Sequence, residues 1–161
     1  MDLNILLTDA LRNLLTELAV GPPGKSAYVL NPGDRGLLES LSALSAAQAS
    51  ARPQGRSSIA SHVHHLHYGF TLANRRARGE DPYTDANWSE SWRQQDVDDA
   101  GWARLVTALG DEIKKWREAI SPRDWDPVVL TGTIASIAHL AYHLGAIRQL
   151  NAATAGPRET Q

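Results

Sequence analysis

The sequence predicts an all-α protein, a bundle of four long helices, and three observations predict it. Apolar residues recur at spacings of three and four over four separate stretches, clusters of Pro and Gly punctuate the chain between them, and no run alternates apolar with polar residues as a half-buried strand would. A length of 161 residues is the usual size of one domain, so residues 1–155 are expected to form a single helical domain and the polar residues 156–161 a frayed tail.

Taken in order, Leu3, Leu7, Leu11, Leu14 and Leu18 make one face of a first helix over residues 2–20, which Gly21-Pro22-Pro23-Gly24 ends. Lys25 to Leu30 has the content of an extended piece. Asn31-Pro32-Gly33-Asp34 is a turn, and residues 34–51 read as one or two short helices, an excursion between the first two long ones. After Arg52-Pro53-Gln54-Gly55, Ser57 or Ser58 can cap a second long helix running to about Gly79. Residues 80–95 show no sustained period and read as a loop pinned by Trp88 and Trp92. Asp96, Asp98 and Asp99 suit the positive end of a third helix, whose inward stripe is Trp102, Leu105, Val106, Leu109, Ile113, Trp116 and Ile120. The fourth, from about Val128 to Ala153, is apolar on nearly every side and is expected to lie centrally.

Composition excludes several function classes. The net charge of -2 supplies no basic field for a phosphate backbone, so no nucleic-acid partner is expected. No uninterrupted apolar run reaches the ~18 residues of a membrane span, and Asp2 stands where a signal peptide would be positive, so a cytoplasmic protein without a membrane partner is expected. The absence of cysteine excludes thiolate metal sites and a cysteine nucleophile, leaving imidazole and carboxylate as strong metal ligands.

Four of the six histidines fall in the second long helix, and the other two, His139 and His143, stand four apart in the last. That spacing separates two side chains by about 40° and one turn of rise, so both imidazoles can reach one zinc, nickel or iron(II) ion. In the second helix a seam of Ile59, Val63, Leu66, Phe70 and Ala73 runs beside a smaller, more polar stripe of Ser58, His62, His65, Gly69 and Leu72. If this stripe faces the last helix, His62 or His65 supplies a third nitrogen, and periodicity leaves the choice open. His64 and His67 point elsewhere and read as surface or rim residues.

The combination of SIASHVHHL opening one long helix and HLAYHLGAIRQL forming the last resembles the DinB/YfiT-like superfamily of helical-bundle metalloproteins. There, a His preceding Leu or Ile on the second bundle helix joins a His-x3-His pair on the final one, and the positions here that match are His65, His139 and His143. The resemblance implies up-down-down-up connectivity and an open divalent metal site whose remaining positions go to water or substrate. Some relatives transfer groups to or from low-molecular-weight thiols such as mycothiol or bacillithiol, or isomerise with one, while many have no known activity. It thus implies a metal-dependent transferase or hydrolase acting on a small molecule, with a nucleophile activated by the ion. His62 then reads as a simple packing residue or as the partner that fixes a ligand's tautomer.

A different reading is a non-catalytic bundle that binds a small ligand or a second copy of itself, with the His cluster structural. Bundle faces and the Trp-bearing loop offer surface for a homodimer. Arg76 and Arg148 are the long cations nearest the stripes, able to hold a carboxylate or to serve in salt bridges. Trp88 and Trp92 are candidates for lining a pocket, Tyr142 for orienting substrate, and Asp81 and Asp85 for approaching a metal, though loop acids usually serve turns. No Asp or Glu lies on either His stripe.

Overall fold

Capping explains where the long helices begin in the computed structural model, which describes residues 2–157. Helix α1 (Leu3–Val20) starts where the Asp2 carboxylate accepts from the Asn4 amide. Short helices α2 (Gly36–Ser42) and α3 (Ala46–Ser50) come next, the second opened by a Ser45–Gln48 capping box. Helix α4 (Ile59–Ala77) is capped by Ser58 rather than Ser57, α5 (Asp99–Ala119) by Asp98, and α6 (Pro127–Leu150) by Asp126 with Pro127 in its first turn. Among the described residues there is no strand.

Differences from the sequence expectations have local causes. Helix α5 starts three residues after Asp96 because that carboxylate pairs with Arg52 instead. Helix α6 stops at Leu150 because Asn151 turns extended and caps a short 3-10 turn, Ala152–Thr154. Lys25 to Leu30 forms bends, and its amides converge on a buried carboxylate: Tyr28, Val29 and Leu30 all donate to Glu17, at 2.7 to 3.1 Å. Burial alone would push the Glu17 carboxyl up, but the three amides hold it below the usual range. The predicted tail begins in place, with Asn31 donating to the Pro157 carbonyl and Gly156 against Asp34. Residues 158–161 of it lie outside the described residues.

Helix α4 packs against α5 and α6, and α1 against the same two. The core between them contains Leu15 and Leu18 of α1, Val63 and Leu66 of α4, Leu109 of α5, and Leu140 and Ile147 of α6, with Leu37 and Leu41 of α2 added from one end. The predicted stripe of α5 is buried apart from half-buried Val106.

Helix α6 corrects the sequence reading. It is not central: Val128 is 74% exposed, Ile134 49% and Tyr142 70%, so one apolar side faces outward. By length and mean hydropathy it also meets the dimensions of a membrane span, because Gly, Ser, Thr and His interrupt its apolar run without lowering the average enough. Its other side carries the histidine pair and packs on α1 and α4.

Two glycines lock the far end of the fold. Gly21 and Gly36 both have positive φ, and a Cβ on Gly36 would lie 2.4 Å from the Gly21 nitrogen. The end of α1 and the start of α2 therefore approach backbone to backbone. Arg148 of α6 closes the same corner, donating to both carboxylate oxygens of buried Asp34 at 2.8 Å. Gly36→Ala combines a left-handed backbone with an overlap that only backbone movement relieves, so urea unfolding should show a loss of at least ~2 kcal/mol.

Candidate metal centre

Three imidazoles from two helices meet at one point. His65 Nε2 lies 3.1 Å from His139 Nε2, and His143 Nε2 lies 2.9 Å from the same atom. Ligand atoms of all three fall within 4.8 Å of one another. His65 and His143 are buried and His139 half-buried. The i, i+4 spacing on α6 aligns one pair, and Gly69 on α4 faces the His139 ring, which a Cβ there would meet at an ordinary contact distance of 3.8 Å.

The far side of each buried ring is held by the protein. His65 Nδ1 lies 2.7 Å from the Ser91 hydroxyl, whose own proton goes to the Trp88 carbonyl at 2.6 Å. The hydroxyl oxygen is thus an acceptor, so His65 Nδ1 carries the hydrogen and its Nε2 presents a lone pair to the cluster. His143 Nδ1 lies 2.8 Å from His62 Nδ1. Donation from His143 to His62 leaves His143 Nε2 bare as well. Trp92 stacks on His65, with ring centroids 4.3 Å apart, and meets His62 edge-on.

This donor set fits a divalent ion. Two nitrogens each at about 2.1 Å from a metal, with ligand angles between tetrahedral and octahedral, stand ~3.0 to 3.4 Å apart, close to the two separations seen here. Burial, reinforced by the neighbouring imidazoles, pushes His65 down to about 4 and His143 to about 3, and burial lowers His139 and His62 also. All are neutral near pH 7, the form that ligates. His139 Nε2 has at most one hydrogen for the two acceptors that face it, and a cation among the three nitrogens would satisfy all of them.

The structure sorts the remaining candidates. His62 partners His143 and is outside the converging three. His64, read as a surface or rim residue, is half-buried and bonds the Ser91 carbonyl at 2.7 Å, and His67 is half-buried near Glu112. Arg148 is taken by Asp34. Asp81 and Asp85 are not in the cluster, and the Asp81 carbonyl closes a turn by accepting from Thr84. Tyr142 touches the His143 ring edge-on at 5.1 Å but faces outward. Sequence reasoning passed over Ser91, a serine in a loop without periodicity. Its buried hydroxyl is what fixes His65.

A cavity of about 760 Å³ opens beside the cluster, with His65, His139, Trp88 and Arg76 in its wall. His143 lies behind them. Helical packing with three imidazoles converging at a cavity defines an all-helical protein whose His cluster could hold a metal ion. A family model described as the DinB superfamily matches residues 34–147, more than half of the chain, and the chain belongs to that superfamily. No curated protein and no solved structure matches it.

Two outcomes are expected. Ser91→Ala strands the His65 Nδ1 proton and should weaken metal affinity by ~10- to 100-fold in a chelator competition, with the number of ions bound at saturation unchanged. The second concerns pH. The buried imidazoles bind protons less readily folded than unfolded, so their stabilisation is present above the unfolded value of 6.5 and is lost as pH falls toward about 4. Metal-free protein should lose ~1 to 2 kcal/mol per pH unit between pH 6 and 4.5 in urea titrations, and the slope should shrink in His143→Asn.

Proposed function

We propose that this chain is a metal-dependent enzyme, a transferase or hydrolase for a small molecule, with one divalent ion held by His65, His139 and His143. The observation that carries the reading is the convergence of three imidazole nitrogens at the wall of a cavity large enough for a small substrate. Three protein donors leave positions for exogenous ligands, the arrangement of catalytic rather than sealed sites. When bound there, a zinc, nickel or iron(II) ion supplies Lewis acidity and lowers the pKa of a coordinated nucleophile.

The chain's own residues have separate tasks in this reading. Ser91 and His62 hold two imidazoles in the ligating tautomer, and Trp92 covers one face of His65. Trp88, Phe70 and Trp116 line the chamber and keep it largely apolar, which strengthens polar interactions inside it. Among the described residues no carboxylate joins the cluster, so its charge with a divalent ion stays positive and favours an anionic nucleophile. A low-molecular-weight thiol from outside would serve in that role, and a chain without cysteine would not compete with it.

The proposal extends to connectivity. Up-down-down-up order is supported by contacts along the helices. His62 and His65 meet His143 and His139 in reverse order, so α4 and α6 oppose one another. Ser58 bonds Gln95 before α5 and Asn74 bonds Glu112 within it, so α4 and α5 run together. The α1 residues Asn4 and Thr16 meet Asp124 and Arg117, the reverse of chain order.

Elemental analysis of protein purified without a His tag or chelator should find about one first-row metal per chain, and none in the His139→Ala, His143→Ala double variant. Turnover of thiol-transfer or hydrolase substrates should then require that ion. An empty wild-type protein after incubation with zinc, nickel and iron(II) would sink the enzyme reading and leave a structural or ligand-binding bundle.

A further inference from the structure

The cavity beside the cluster has a chemical bias of its own. Its inner wall is built from Phe70, Ala73, Trp116, Ile120 and Val129, drawn from α4, α5 and α6. Its charged lining consists of Arg76, Arg123 and Asp81, two cations against one anion. The polar lining is therefore richer in donors than in acceptors.

Those cations are poorly used by the protein. Among the described residues neither arginine pairs with a carboxylate. Arg76 reaches only the Glu80 carbonyl, at 3.4 Å. Arg123 donates to the Ala119 carbonyl and to the carbonyl and hydroxyl of Ser121, contacts that fix its position at the end of α5 without neutralising it. Its guanidinium sits over the Trp125 ring, 5.4 Å from the centroid. Trp125 lines the same cavity, and its buried indole N–H has no hydrogen-bond partner among the described residues. A buried donor without an acceptor is costly, and two exposed guanidinium groups without carboxylate partners at the rim of an apolar chamber attract an acceptor-only group.

We infer that the cavity takes an organic carboxylate with an apolar or aromatic body, its carboxylate held at Arg76 and Arg123 and its body lying along Trp88, Phe70 and Trp116 toward the His cluster. The assignment rests on the reading of this cavity as the substrate chamber. Guanidinium matches a carboxylate in planar, two-pronged geometry, and the chamber's volume is in the ordinary range for small-molecule sites. Asp81 opposes the anion and limits its affinity.

The test is calorimetric titration of 4-phenylbutyrate and its neutral isostere, 4-phenylbutanamide, into zinc-loaded and chelator-stripped protein. The carboxylate is expected to bind at least ~10-fold more tightly than the amide in both forms, the size of one charge-assisted hydrogen bond. Arg76→Gln, at an exposed position, should remove part of that preference and the Arg76→Gln, Arg123→Gln pair all of it, with amide affinity kept. Asp81→Asn should increase it. Equal binding of the two probes, or binding of neither, overturns the assignment. So does a preference seen only with zinc and retained in the double variant, because the ion and not the arginines would then hold the anion. A preference that persists in protein unable to bind zinc upholds the assignment and defeats the metal reading instead.

Discussion

Everything around the site depends on one constraint: three imidazoles converge on one point inside the protein, and each nitrogen there needs a partner. Ser91 and His62 leave the Nε2 atoms of His65 and His143 as acceptors, and both face the single Nε2 of His139, which has at most one hydrogen to give. Protonation would change that balance, but burial pushes His65 down to about 4 and His143 to about 3, so neither takes a proton near pH 7. A metal ion would satisfy all three together. Packing energy from the surrounding core keeps the arrangement assembled, since Leu66 and Leu140, each next in sequence to a cluster His, are fully buried.

The surroundings are consistent with that demand. Loop residues 88–92 are anchored to α4 through His64, His65 and Ser61, so the segment that supplies Ser91 is itself positioned by the helix it serves. At the opposite corner, Glu17 collects three amides and Asp34 collects Arg148, two buried charges with their partners. These fix α1, α2 and α6 relative to one another.

Much of the fold was legible in the sequence because caps and apolar spacing are local signals. Ser58, Asp98 and Asp126 each stand immediately before a periodic stretch, and the apolar seam of α4 is buried as its spacing implies. His139 and His143 announced themselves by spacing within one helix. Between His62 and His65 periodicity could not decide, because the two differ by less than a turn and the outcome depends on how α4 rotates against α6. The roles of Ser91, Glu17 and Asp34 were not legible. Each depends on a partner distant in sequence, 114 positions away for Asp34 and Arg148, and a serine or an acid carries no mark of what it will meet. Helix α6 misled for another reason: mean apolarity does not say which side will be covered.

Placing the ligating and orienting histidines on two helices also sets which changes of chain length the protein can absorb. One residue inserted between His62 and His65 would rotate the two by ~100° relative to one another and break the arrangement in a single step. One inserted at exposed Tyr83, Thr84 or Asp85, between the end of α4 and the anchored segment 88–92, disturbs no helical register. Variation in loop length at the cavity mouth is thereby uncoupled from the His cluster. The scaffold can reshape what enters the chamber while leaving intact the nitrogens that wait at its wall.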